Sequence, residues 1–293
     1  MKFQYMQSQK QHERVFSFEF FPPKNQDAAV KLREARAELA KLNPRFFSVT
    51  FGAGGSTRDR TLETVVEIQK AGLQAAPHLS CIASSRADLR ELLGAYKQHG
   101  IRHIVALRGD LPAGASKPGE LPYARDLVEF IRTETGDHFH IEVAAYPEFH
   151  PEARDAAHDL QSFLRKVEAG ANSAMTQYFY NSDAYYRFVE SCEKMDITLP
   201  IVPGIMPITH YVQLARFSDR CGAEIPRWLR KRLEAFGDDA ASLRAFGLDV
   251  VSELCRALLD AGAPGLHFYT MNQAAPTVAI WKNLGLPISN PVS

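Results

Sequence analysis

Glu19 stands in the run Val15-Phe16-Ser17-Phe18-Glu19-Phe20-Phe21, closed at once by Pro22-Pro23. A stretch rich in aromatics and ended by prolines predicts a buried strand. Side chains alternate along a strand, so Phe16, Phe18 and Phe20 point one way while Ser17 and Glu19 point the other. Glu19 is then the carboxylate at the end of an inner face. Burial there disfavours the ionised form and raises the pKa, which would make the residue a proton donor near neutral pH. An ion-paired structural glutamate suits the same strand end, and the segment alone leaves both readings open.

Other residues with chemical capacity fall at similar places. Arg108-Gly109-Asp110-Leu111-Pro112 follows an apolar strand directly, and a glycine between two charged residues lets backbone approach a ligand. A turn closed by an Arg108–Asp110 ion pair explains the same tripeptide. Phe51-Gly52-Ala53-Gly54-Gly55-Ser56 has the glycine content of a phosphate loop but fits neither G-x-G-x-x-G nor G-x-x-x-x-G-K-[ST], so it reads as a plain loop. His78 and His150 each sit at a strand end. No carboxylate or cysteine partner recurs at ligand spacing, so both read as hydrogen-bonding histidines and not as metal ligands. Arg165 and Lys166 close an amphipathic helix near Asp159, a solvated face unless an anionic ligand such as a pyrophosphate lies beside them.

These residues need elements to hold them, and the periodicity supplies strand, helix, strand, helix from end to end. Strand candidates are 15–21, 45–51, 74–80, 102–107, 139–146, 172–179, 200–204 and 265–269. Helical stripes lie between them, such as Leu89, Leu92, Leu93 and Tyr96, or Leu160, Phe163, Leu164 and Val167. Eight βα units over this length predict an α/β fold, a closed (β/α)8 TIM barrel of parallel strands, with a doubly wound sheet as the alternative. The surplus falls before the last strand, where 226–262 reads as two helical pieces. No low-complexity linker divides the chain, so 1–293 is expected to be one barrel domain, with 1–14 an N-terminal extension and 287–293 a C-terminal tail. In a barrel, ligands belong at the carboxyl ends of the strands. Those ends carry Glu19, Thr50, His78, Arg108 to Asp110, Tyr146 with His150, Gln177 and Tyr269-Thr270.

Composition narrows the partners. The 34 Lys and Arg balance 34 Asp and Glu, so no global field exists to attract nucleic acid or an acidic membrane surface, and an anionic ligand must be held by a few placed residues. Cys81, Cys192, Cys221 and Cys255 are far apart, with no C-x-x-C pair, and read as reduced cytosolic thiols. Neither a signal peptide nor a run of membrane-spanning length is evident, so a cytoplasmic protein is expected.

Seven ordered segments resemble the methylenetetrahydrofolate reductase family. They are Phe18-Glu19-Phe20-Phe21-Pro22-Pro23, Ser48-Val49-Thr50, Ala76-Pro77-His78-Leu79, 102–112, Ala144-Ala145-Tyr146-Pro147-Glu148, Thr176-Gln177-Tyr178-Phe179 and His267-Phe268-Tyr269-Thr270. The resemblance runs from about residue 15 to about residue 286. It implies a flavoprotein that reduces 5,10-methylenetetrahydrofolate to 5-methyltetrahydrofolate with NADH or NADPH in a ping-pong cycle, feeding methionine synthesis. It implies Glu19 as general acid, Asp110 as the carboxylate that stabilises an iminium, and Gln177, Gln213, Phe217 and Gln273 as substrate contacts. FAD would be held by Thr50, Phe51, Ala53, His78, Arg108, Gly109, Asp110, Tyr123, Ala124, Tyr146, His150, Ala153, Asp159, Ser162, Arg165 and Lys166.

Two positions depart from the family pattern: Ser162 stands where relatives carry Asn, and Gln273 where they carry Arg, which removes a positive charge near the folate tail or nicotinamide. The expected partners are therefore folate and nicotinamide, with no nucleic acid or membrane, in a homo-oligomer. No regulatory domain is expected after the barrel. A flavin-free folate-binding barrel that transfers a methyl group, and a catalytically silent barrel, are the rival classes.

Overall fold

The computed structural model describes residues 6–51, 57–110 and 119–288. The first half of the chain alternates β1 (Val15–Phe20), α1 (Gln26–Ala40), β2 (Phe46–Val49), α2 (Arg58–Lys70), β3 (Ala75–Ser80), α3 (Arg86–Gln98), β4 (His103–Leu107) and α4 (Ala124–Thr135). The second half continues with β5 (His140–Ala145), α5 (Ala156–Glu168), β6 (Ser173–Tyr178), α6 (Ser182–Glu193) and β7 (Ile201–Ile205). Three helices then follow in succession, α7 (Tyr211–Cys221), α8 (Arg227–Ala235) and α9 (Ala240–Ala261), before β8 (Gly265–Tyr269) and α10 (Ala275–Asn283). The strands pair in parallel and in chain order, and β1 pairs with β8 as well as β2. The sheet is closed, which confirms the barrel and excludes the doubly wound alternative.

Alternation along β1 sorts the side chains as its sequence requires. Phe18 and Phe20 are fully buried on the outer face: Phe20 stacks on Phe47 at 5.3 Å, and Phe18 lies among Phe47, Phe268 and Trp281. Each such ring contributes roughly 2–3 kcal/mol by leaving water, so β1 is clamped between its neighbouring strands and α10. Ser17 and Glu19 face the interior. Below Glu19 the interior is plugged by Phe46, Ala76, Val105 and Met175, so its carboxylate opens only toward the carboxyl ends of the strands.

Helix starts follow local capping chemistry. Asn25 accepts the Ala28 N–H, Ser85 and Asp88 form a capping box, Asp155 accepts the His158 N–H and Asp239 that of Ser242. The surplus between β7 and β8 is built into the mouth. The Tyr211 hydroxyl donates to Glu234 at 3.0 Å, tying α7 to α8, while the Glu224 N–H donates to Glu148 at 2.8 Å. α7 therefore runs along the rim from the loop after β7 to the loop after β5. Residues of the expected N-terminal extension are docked at the opposite end: the Gln9 side chain donates to Leu199 O and accepts the Ile201 N–H.

Candidate active site

A 460 Å³ cavity opens at the carboxyl ends of β4 and β5, against the starts of α4 and α5. The strand ends place Arg108, Gly109, Asp110 and Tyr146 in its wall; α4 and the turn before it add Tyr123 and Ala124. His150 and Ala153 line it from the loop after β5, Asp159, Ser162, Arg165 and Lys166 from α5, and Phe51 from beyond β2. Thr50 and His78, at the ends of β2 and β3, are not in that wall, and Ala53 lies outside the described residues. Glu152 and Ser80, which the sequence reading passed over, line the cavity as well.

Arg108 does not close its turn on Asp110. Its guanidinium pairs with Glu152 at 2.6 Å, while the Ser80 hydroxyl donates to Arg108 O at 2.7 Å. Gly109 has φ +83°, and a Cβ there would collide with Ser80 Oγ, so only glycine lets β4 end this close to β3. Lys166 is drawn in: its Nζ donates to Ala144 O at 2.5 Å, and burial pushes its pKa down to about 8, with Asp159 opposing. It still carries charge at neutral pH. The Ser162 hydroxyl bonds its own helix at His158 O, at 2.9 Å. The His150 N–H donates to Asp159, and its ring meets Tyr146 edge-on at 4.7 Å. Arg108, Arg125, Arg165 and Lys166 thus bring four cations, against the carboxylates of Asp110, Glu152 and Asp159, to a cavity walled also by Phe51, Tyr123 and Tyr146, a lining that suits a ligand with aromatic rings joined through phosphates.

At the carboxyl end of β1, outside the cavity wall, Glu19 is 8% exposed. Its Oε2 lies 3.1 Å from His78 Nε2 and 3.4 Å from His267 Nε2, and His267 Nδ1 lies 2.8 Å from Ser17 Oγ. Burial pushes Glu19 up, as expected, but the two imidazoles outweigh it and hold the carboxyl down at about 2. The expectation of a raised pKa is therefore overturned. His78 approaches without hydrogen-bond alignment, so its hold on Glu19 is chiefly electrostatic. The Thr270 hydroxyl donates to Glu19 O at 2.6 Å, fixing the end of β1. His267 was missed as a site residue; the signal was its parity with Tyr269 on the inner face of the last strand.

Gln177 ends β6 in a smaller cleft with Tyr146, Glu148 and Cys221, so Tyr146 borders both spaces. Asp110 is exposed at the end of β4. On α7, Gln213 is exposed and Phe217, one turn on, is half-buried on the same face. Gln273 is exposed on the rim after β8, its N–H donating to Thr270 O at 2.9 Å. Among the described residues no cluster of three or more His, Cys, Asp or Glu side chains could hold a metal ion, and no helix is long and apolar enough to cross a membrane.

Comparison with known proteins gives a consistent result. The family model described as Methylenetetrahydrofolate reductase matches residues 4–285. The 5,10-methylenetetrahydrofolate reductase of Salmonella typhimurium is 43% identical over 271 residues, covering 92% of this chain and 90% of the relative. Methylenetetrahydrofolate reductase (NADH) 1 of Arabidopsis thaliana is 38% identical over 291 residues, 94% of this chain and 49% of the plant protein. Among solved structures, a Clostridium thermocellum protein described as binding two copies of 5-methyl-5,6,7,8-tetrahydrofolic acid superposes with a TM-score of 0.66. The match covers 94% of this chain and 95% of that one, and at 14% identity it is a likeness of fold.

Proposed function

The chain belongs to the methylenetetrahydrofolate reductase family, and from that premise we propose that it reduces 5,10-methylenetetrahydrofolate to 5-methyltetrahydrofolate with electrons from NADH or NADPH, passed through FAD in a ping-pong cycle. The observation that supports this reading most is that the carboxyl ends of the strands carry both a cavity lined by basic and aromatic side chains and a buried carboxylate held by two histidines. Bound FAD would supply the hydride relay between the two substrates.

The protein's own groups have distinct tasks in this reading. Arg108, Arg165 and Lys166, in the cavity wall, would neutralise the diphosphate of FAD, and Phe51, Tyr123 and Tyr146 would offer apolar surface to its rings. Thr50, Ala53, His78, Gly109, Ala124, His150, Ala153, Asp159 and Ser162 complete the cofactor set, on the strength of the family resemblance. Opening the five-membered ring of the folate needs a proton on the departing nitrogen. Glu19 is held ionised by the histidines beside it, so it must gain a proton before it can pass one to the departing nitrogen. Asp110 stabilises the positive charge of the iminium that results. Gln177 contacts the pterin and the nicotinamide in turn, while Gln213, Phe217 and Gln273 hold the folate side.

The test is an anaerobic titration of the purified protein. NADH should bleach a flavin absorbance, and methylenetetrahydrofolate should restore it with formation of 5-methyltetrahydrofolate. A colourless protein, or a reduced flavin that methylenetetrahydrofolate leaves unchanged, would overturn the proposal.

A further inference from the structure

An amide that meets two substrates in turn needs a defined place, yet Gln177 sits at a strand end where the register slips. β6 pairs with β7 at Ala174↔Ile201 and Met175↔Val202, then slips so that Tyr178 faces Gly204. The β6 side therefore has an extra residue over this step, which makes Thr176-Gln177 a bulge. Bulges re-aim side chains and break ladder hydrogen bonds. Left to itself, such a segment would have several arrangements.

Here it is pinned from two sides. The Gly204 N–H donates to Thr176 Oγ1 at 2.9 Å, holding the bulge to β7. The Tyr269 hydroxyl donates to Thr176 O at 2.7 Å, a contact from β8 that passes over β7 altogether. Such a reach needs an opening in β7, and residue 204 supplies it. A Cβ at Gly204 would stand 2.7 Å from Tyr269 Cε2 and would collide with Thr176 O. The ring is steadied edge-on by His267 at 5.2 Å and by Tyr178 at 6.1 Å. Burial, with Glu19 and Tyr146 nearby, pushes the phenol well above its ordinary pKa, so it remains a donor throughout any practical assay range.

We infer that Tyr269 is a positioning residue: by holding the Thr176 carbonyl across the gap at Gly204, it sets where the Gln177 amide projects. The inference rests on the reductase reading, in which Gln177 serves both half-reactions. It predicts a signature that a wedge in the core would not leave. Loss of the hydroxyl should weaken both half-reactions, and only while Gln177 is present.

A double-mutant cycle on the FAD-loaded enzyme reads this out. Tyr269→Phe keeps the ring and removes the donor. A small misplacement of a contacting group is costly, so kcat/KM for NADH and for methylenetetrahydrofolate should each fall by about tenfold. In the Gln177→Ala background the same change should cost less than about twofold. Thr176→Val, which withdraws the acceptor of the Gly204 N–H, approaches the bulge from the other strand and serves if Tyr269→Phe does not fold; it should be masked by Gln177→Ala in the same way. Losses that multiply in the double variants, or a loss confined to the folate half-reaction, would overturn the inference. A wild-type enzyme that does not reduce methylenetetrahydrofolate would instead defeat the reductase reading beneath it.

Discussion

The two ends of the barrel interior carry similar chemistry in different company. At the mouth, Glu19 lies between His78 and His267. At the floor, Glu142 lies 3.5 Å from His140, whose Nε2 is also 2.6 Å from Ser173 Oγ, and the His103 ring is 4.9 Å from that of His140. Both carboxyls are buried, and both are held below the usual carboxylate range against the effect of burial, chiefly by the histidines beside them. The resemblance stops there. Glu19 lies at the carboxyl end of β1, the end of the barrel at which the cavity opens, whereas Glu142 and His103 lie nearer the strand starts, with His103 stacked on Phe46 at 5.3 Å; neither group is in the cavity wall itself. A perturbed carboxylate is thus a weak sign of function by itself; a place at the carboxyl ends of the strands distinguishes the two.

The largest contrast should come from matched substitutions. Glu19→Gln removes the carboxylate that would take up and pass on the proton and should slow the folate half-reaction by about 100-fold or more, while hydride transfer from NADH to flavin, which needs no acid, stays near wild type. Glu142→Gln should leave both half-reactions within about twofold. Stopped-flow measurement of flavin absorbance separates the two steps. An equal loss in both half-reactions for Glu19→Gln, or a large loss for Glu142→Gln, would erase the distinction between the ends.

A second contrast lies in acid stability, because the two ends lose their contributions in different windows. The folded-state value of Glu19, about 2, is below its ordinary 4.5, so its contribution is whole above pH 4.5 and is lost as pH falls toward 2. The shift corresponds to about 3 kcal/mol as an upper figure. His103 is pushed down from 6.5 to about 4, by burial first and then by the charges of His140 and Arg45. The unfolded chain takes that proton first, so the contribution of His103 is whole above pH 6.5 and is lost between 6.5 and 4. Melting temperature against pH should therefore flatten between 6.5 and 4 in His103→Gln, and between 4.5 and 2 in Glu19→Gln. Exchanged windows would mean that the electrostatic surroundings of the two ends are assigned the wrong way round.

The smallest effect belongs to the open rim above the mouth. Gln273→Arg restores a group able to pair bidentately with a carboxylate or phosphate, and should tighten the folate tail or the nicotinamide dinucleotide by roughly 1–2 kcal/mol at low salt. The gain should shrink at high ionic strength, since an exposed charge is screened. Dissociation constants for both ligands at two salt concentrations measure it. No change in either would remove Gln273 from the site.

Local patterns made much of this protein legible before its structure. Strand alternation put Glu19 opposite Phe18 and Phe20, as observed, because a period of two is a property of six consecutive residues. The same logic recovered all eight strands and the helices that 226–262 contains, α8 and α9. Most of the expected cofactor residues share one cavity wall because they sit at strand ends or on the helices α4 and α5 that follow them, and a closed barrel brings these together. His267 and Glu152 were passed over for a common reason. Each becomes significant through a partner remote in the chain, Glu19 across 248 residues and Arg108 across 44.

The sequence by itself therefore determined which side chains look inward and what chemistry they could perform, since those depend on backbone period and functional group alone. Only the tertiary structure decided the charge state of Glu19: burial is a local expectation, but the imidazoles that overcome it arrive from β3 and β8 when the sheet closes. The setting of Gln177 is of the same kind. It depends on a phenol from β8 passing an empty position on β7 to reach a bulge on β6. Coulomb forces and steric gaps act through space, and the distances that govern them exist only once β1 has met β8.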